Sequence, residues 1–141
     1  MSKKRVFISH EYAGNPDKNV ARADRICKTI LNKYPEYIPI SPLHMFSYFD
    51  DEDKDFRDPI LDFCFDSIEN CKVLWTFGYS NGCLQEINKA IREGIPVYVC
   101  VFVEEDGEFY IQREKYTQDT AYKSVIKNKQ EQLKNNTIFK F

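Results

Sequence analysis

Residues 73–103 read "VLWTFGYSNGCLQEINKAIREGIPVYVCVFV", two β-prone runs separated by a polar turn and a stretch of helical periodicity. Val73 to Phe77 is expected to be a central strand. Gly82 to Glu93 follows as a helix with Leu84, Ile87, Ala90 and Ile91 turned inward. Gly94 offers that helix a C-cap. Ile95 to Val103 is the longest β-type run in the chain. It does not alternate with polar residues, which predicts burial on both faces and a place inside a parallel sheet.

Working outward, Arg5 to Ser9 reads as a short buried strand, and His10 to Asp17 as a loop punctuated by Gly14 and Pro16. From Asn19 to Tyr34, Val20, Ala23, Ile26, Cys27, Ile30 and Leu31 recur at helical spacing, and Pro35 ends the run. Tyr37 to Ile40 is a second strand, which Pro39 pushes toward a sheet edge. Ser41 to Asp55 is a long loop, of the kind that carries function in compact domains. Pro59 suits a first helical turn, and Ile60, Leu61, Cys64, Phe65 and Ile68 continue an apolar face to Asn70. After Glu104 a turn through Gly107 and a short strand at Phe109–Ile111 are expected. A polar helix over Gln118–Leu133 and a terminal strand or arm over Thr137–Phe141 follow.

The alternation of strand and helix predicts an α/β protein: a Rossmann-like or flavodoxin-like three-layer sandwich on a mainly parallel sheet of four to five strands. At 141 residues the expectation is one domain spanning 1–141, with 104–141 as a C-terminal extension or arm. A formal charge of −2 gives no basic footprint for a nucleic acid polymer. No apolar stretch is long enough to span a bilayer, and the N-terminus lacks a signal-peptide core, so the expected location is cytoplasmic. Cys27, Cys64, Cys71, Cys83 and Cys100 show no C-x-x-C spacing, so free buried thiols are expected, with neither a metal site nor a cofactor.

Ligands of open parallel sheets bind beyond the carboxyl ends of the strands. Three segments converge there: the loop from His10 to Asn15, Ser41 to Tyr48, and Gly78 to Gly82. Ser80, Asn81 and Gly82 open a helix, where free N–H groups and the dipole favour an anion such as a phosphate. The same residues equally make an ordinary helix cap. Glu86 lies just over a turn further on, beside Ile87. It either reaches the crevice, where a carboxylate could attack an anomeric carbon, or pairs in solvent with Lys89. His10, Tyr12, Gly14, His44 and Phe46 are further candidates to contact a sugar or base, the aromatics by stacking. The acids Asp50, Asp51, Asp53 and Asp55 read as a solvated loop, and Cys83 as a packing residue.

Three stretches together resemble the nucleoside 2-deoxyribosyltransferase-like superfamily: "KRVFISHEYAGNPDKNVARA" (4–23), "PISPLHMFSY" (39–48) and "CKVLWTFGYSNGCLQEINKAIREGIPV" (71–97). The likeness is to its small members with an I-S-H-x-[FY]-x-G start. Its most specific element is S-x-G-x-x-x-E, carried by Ser80, Gly82 and Glu86. The resemblance implies that Glu86 is the nucleophile on a nucleoside or nucleotide N-glycosidic bond, and that Ser80 favours a 5′-phosphate. It also implies a homo-oligomer. In that superfamily an Asp stands on the preceding helix, eight residues before a second Asp that opens the third strand. With Lys72 at the second position, Cys64 occupies the first, and the flanking Asp62 and Asp66 are the candidates for the acid. A weaker resemblance is to TIR domains, whose S-x-x-C-x-x-E-[LI] is matched by Ser80, Cys83, Glu86 and Ile87. That pattern implies cleavage of NAD. The expected function is therefore hydrolysis or transfer at an N-glycosidic bond. The alternatives are a protein that sequesters a nucleotide-derived signal without turnover, or a TIR-like NAD-cleaving domain.

Overall fold

A computed structural model describes residues 3–12, 14–42 and 54–117. In chain order the elements are β1 (Lys4–Ser9), α1 (Pro16–Lys33), β2 (Tyr37–Ile40), α2 (Lys54–Glu69), β3 (Val73–Thr76), α3 (Asn81–Arg92), β4 (Val97–Glu105) and β5 (Glu108–Lys115). They build one five-stranded sheet in the order β2-β1-β3-β4-β5, parallel except for β5. This is the α/β sandwich expected from the alternating pattern. Val6, Ile8, Val73 and Trp75 pack with Ile26 and Ile30 of α1 on one face. Phe7 and Leu74 pack with Cys64 and Ile68 of α2 and Ile87 and Ala90 of α3 on the other. Neighbouring strand residues thus serve opposite faces, and β1 and β3 are buried on both.

Several boundaries differ from the sequence-based expectation, each for a local reason. α1 starts at Pro16 rather than Asn19, because the Asn15 side chain accepts from Lys18 N at 3.3 Å and proline fits the first helical turn. α2 starts at Lys54, so Pro59 lies inside the helix instead of opening it, and the Asp55 carbonyl loses its helical donor. The burial of β4 on both faces holds only to Cys100; Val101 is 50% exposed. Beyond that point β4 belongs to a long antiparallel hairpin with β5, which is eight residues rather than the three expected. The hairpin turns on Asp106 and Gly107, both at positive φ (53° and 79°), the two-residue geometry whose twist matches the strands. Leu31 and Ile91, counted with the inward stripes of their helices, are 47% and 50% exposed.

Trp75 is fully buried and ties the first face together, with its ring edge-on to Tyr34 and Tyr37 and the Arg113 guanidinium 4.9 Å from its centroid. The outer margin of β5 is covered by the end of α1. The Ile111 N–H donates to the Tyr34 hydroxyl at 3.1 Å, and that hydroxyl donates back to the Ile111 carbonyl at 3.3 Å. The Lys33 ammonium donates to the Phe109 carbonyl. Among the described residues no helix is long and apolar enough to cross a membrane.

Candidate active site

The chain leaves β1 toward β2 on one side of the sheet, whereas β3 and β4 extend the other side. The switch point therefore falls between β1 and β3, where a crevice opens beyond the strand ends. Ser9 and Thr76, the last residues of the two strands, are register partners there, and both are fully buried. The ladder runs one step further, as Phe77 N–H donates to the Ser9 carbonyl at 2.8 Å. The Thr76 hydroxyl then donates to the Gly78 carbonyl at 2.7 Å and fixes the turn. Gly78 cannot carry a side chain without moving its neighbour: an added Cβ would sit 2.8 Å from the Glu11 Cγ.

The turn delivers Ser80 as the N-cap of α3, its Oγ accepting from Cys83 N at 3.2 Å. Asn81 is exposed, and among the described residues an added Cβ at Gly82 would meet only the Ser80 Oγ, at 3.9 Å. Among those residues nothing closes off the first turn of α3 in front of the cap. One turn on, Glu86 points back to the strand ends rather than into solvent. The Ser9 hydroxyl donates to its Oε1 at 2.8 Å, and the Cys64 thiol donates to it from α2. Lys89, the alternative partner, is engaged by Glu69 at 2.7 Å and Glu93 at 3.0 Å. Desolvation lifts the Glu86 carboxyl from its ordinary range to about 8, against the smaller lowering by its two donors.

The thiols around it keep their protons. Burial, followed by the charge of Glu86, pushes Cys64 up to about 12, and burial pushes Cys83 up to about 11. Neither has the depressed pKa of a nucleophilic cysteine. His10 is buried and doubly engaged: its Nδ1–H donates to the Glu11 carbonyl at 2.8 Å, and its Nε2 accepts from Arg22 Nη1 at 2.8 Å. Since a carbonyl only accepts and a guanidinium only donates, those contacts fix a neutral ring. Arg22 in turn faces the charge of Glu11. Tyr12 is half-buried with its carbonyl held by Asn19 Nδ2 at 3.1 Å, and Gly14 is exposed.

Ser80, Gly82 and Glu86 are thus brought together at the crevice, with His10 and Tyr12 on the adjoining loop. Asp62 and Asp66 are not: both are exposed. This corrects their assignment as acids facing Glu86. Two residues along a helix turn a side chain by about 200°, so burying Cys64 sends both aspartates outward. His44, Phe46, Asp50, Asp51 and Asp53 lie outside the described residues, as does the expected helix at 118–133. Sequence reasoning missed Ser9, Glu11 and Arg22. Ser9 alone left a signal, a hydroxyl ending an apolar run at the crevice end of a strand. Among the described residues no group of three or more His, Cys, Asp or Glu side chains is placed to hold a metal ion.

A flavodoxin-type strand order, with a capped helix and a desolvated carboxyl at the switch point, defines the class: an α/β protein of the doubly wound kind. Within it, residues 4–100 match the family model described as "Domain of unknown function (DUF7768)", and the chain belongs to that family. A solved structure of a 2-deoxyribosyltransferase from the psychrotolerant bacterium Bacillus psychrosaccharolyticus superposes with a TM-score of 0.52 at 10% identity. The match covers 67% of this chain and 70% of that one. That enzyme is described as a biocatalyst for the synthesis of antiviral and antitumoral nucleosides. At this identity the likeness establishes a shared fold. No curated protein matches the chain.

Proposed function

We propose that the chain hydrolyses or transfers at the N-glycosidic bond of a nucleotide or nucleoside, with Glu86 as the nucleophile. The observation that carries this reading is the Glu86 carboxyl itself, desolvated at the switch point and aimed by the Ser9 hydroxyl at 2.8 Å. A solvated helix residue would show neither feature. In the reaction the ionised carboxylate attacks C1′, the C1′–N bond breaks with its electron pair passing to the base, and water or an acceptor then releases the sugar. Ser80, Asn81 and Gly82 hold a 5′-phosphate at the open start of α3. The fold shared with a 2-deoxyribosyltransferase supports the choice of bond. We place the activity in the cytoplasm, and in a homo-oligomer as the resemblance implies.

One observation favours a second reading. Cys64 holds its proton where the superfamily has an aspartate, which suits a protein that binds a nucleotide without turning it over. One experiment separates the two. Wild type, Glu86→Ala and Glu86→Gln are incubated with nucleotides, cyclic nucleotides and NAD, and free base and bound ligand are followed by mass spectrometry. The expected result is base release by wild type and at least 100-fold less from both variants. Base release that survives both substitutions sinks the nucleophile assignment. Intact ligand recovered from wild type establishes the binder.

A further inference from the structure

A base that leaves a neutral nucleotide takes the bonding electron pair with it and needs a proton to depart. Among the described residues, neither Asp62 nor Asp66 is placed to give one. Cys64, the group on α2 that faces Glu86, spends its thiol proton on the Glu86 carboxyl. Asp62 and Asp66 are exposed on the other sides of α2. Glu11, the second acid at this end of the sheet, is opposed by the Arg22 charge. The carboxyl that would meet C1′ is itself short of a counter-charge: its partners are the hydroxyl of Ser9 and the thiol of Cys64, both neutral.

Resting on the reading of Glu86 as the group that meets C1′, we propose that this site takes N-glycosides whose base is already a cation, a quaternised pyridinium or N-alkylated purine nucleotide. Such a base solves both problems. When its C1′–N bond breaks, the electron pair neutralises the nitrogen and the base departs with no proton. Before that, its positive charge stands against the Glu86 carboxyl in a desolvated crevice and favours the ionised form. The balance closes on water alone: the cationic nucleotide and one water give the neutral base, the sugar phosphate with a new C1′ hydroxyl, and one proton. Burial, which holds Glu86 near 8 in the free protein, is the same physics that rewards a cationic ligand.

The test compares matched pairs on the full chain. Nicotinamide mononucleotide is set against its reduced, uncharged form, and 7-methylguanosine 5′-monophosphate against guanosine and 2′-deoxyguanosine 5′-monophosphates. Base release is followed by mass spectrometry. At least one cationic probe is expected to be cleaved 100-fold or more faster than its neutral partner. Neutral nucleotides cleaved within tenfold of the cations overturn this inference while leaving the N-glycosidase reading standing. No release from any probe overturns both. Cys64→Asp, checked for folding by its melting curve, is expected to gain at least tenfold on the neutral guanine nucleotides. A folded variant with no gain removes Cys64 from the explanation, and wild-type discrimination then decides alone.

Discussion

At the residue scale the Glu86 carboxyl concentrates the chemistry and also a cost to the fold. Three elements face it: Ser9 from β1, Cys64 from α2, and Cys83 on its own helix. Its pKa is raised on folding to about 8, so between the unfolded value near 4.5 and about 8 the native state holds a proton that the unfolded chain has released. Stability therefore falls as pH rises across that window, by at most about 1.4 kcal/mol per pH unit. Glu86→Gln removes the linkage. Thermal melts should show the variant close to wild type at pH 4.5 and increasingly more stable toward pH 8.5; a gap that stays constant with pH refutes the raised pKa. The same titration governs activity, since only the ionised form attacks C1′. For a neutral nucleotide, kcat/KM should climb with pH through about 8. Ser9→Ala takes away a donor that favours the ionised form. It is expected to push that limb higher and reduce kcat/KM at pH 7 by about tenfold, the worth of one charged hydrogen bond. Rescue by Ser9→Thr would separate positioning from packing.

At the element scale, α3 combines a cap with an opening, and Ser80 is where the two can be told apart. Ser80→Asp keeps a side-chain oxygen for Cys83 N but sets a negative charge where a phosphate would sit. Melting temperature should hold, while KM for a 5′-monophosphate rises about tenfold or more on electrostatic grounds. Unchanged KM would reduce Ser80 to a cap. Much of this element was legible before any coordinates, because apolar periodicity fixes which side of a helix is buried. It sets Glu86 beside Ile87 but leaves open whether the carboxyl reaches the crevice or pairs in solvent with Lys89. What periodicity could not give was the partner across the gap. Ser9 is 77 residues away in sequence, and only strand register brings it next to Thr76. Asp62 and Asp66 differ for a related reason: the resemblance implies an acid where Cys64 stands, and helix phase turns both of its acidic neighbours outward. The hairpin was underestimated because its strands carry charges at the exposed positions, so the Asp106-Gly107 turn was the clearer sign of its length.

At the scale of the whole molecule, α1 and Trp75 set how much of the sheet acts as one unit. Trp75 is reached by Tyr34, Tyr37 and Arg113, from a helix end and two different strands. Trp75→Ala should cost about 3–5 kcal/mol in urea denaturation, the ordinary penalty for emptying an aromatic core site. A loss below about 1 kcal/mol would mean that this face does not hold the sheet together. The Tyr34 hydroxyl has a separate consequence. By engaging both backbone groups of Ile111, it works as a chain terminator for the sheet, and at the opposite margin Pro39 of β2 brings no N–H at all. A strand arriving at either border meets a ladder with missing rungs. The native protein should therefore be a poor seed for cross-β growth, and Tyr34→Phe, which leaves the packing ring but frees the Ile111 rung, should shorten the lag before thioflavin-positive aggregates form.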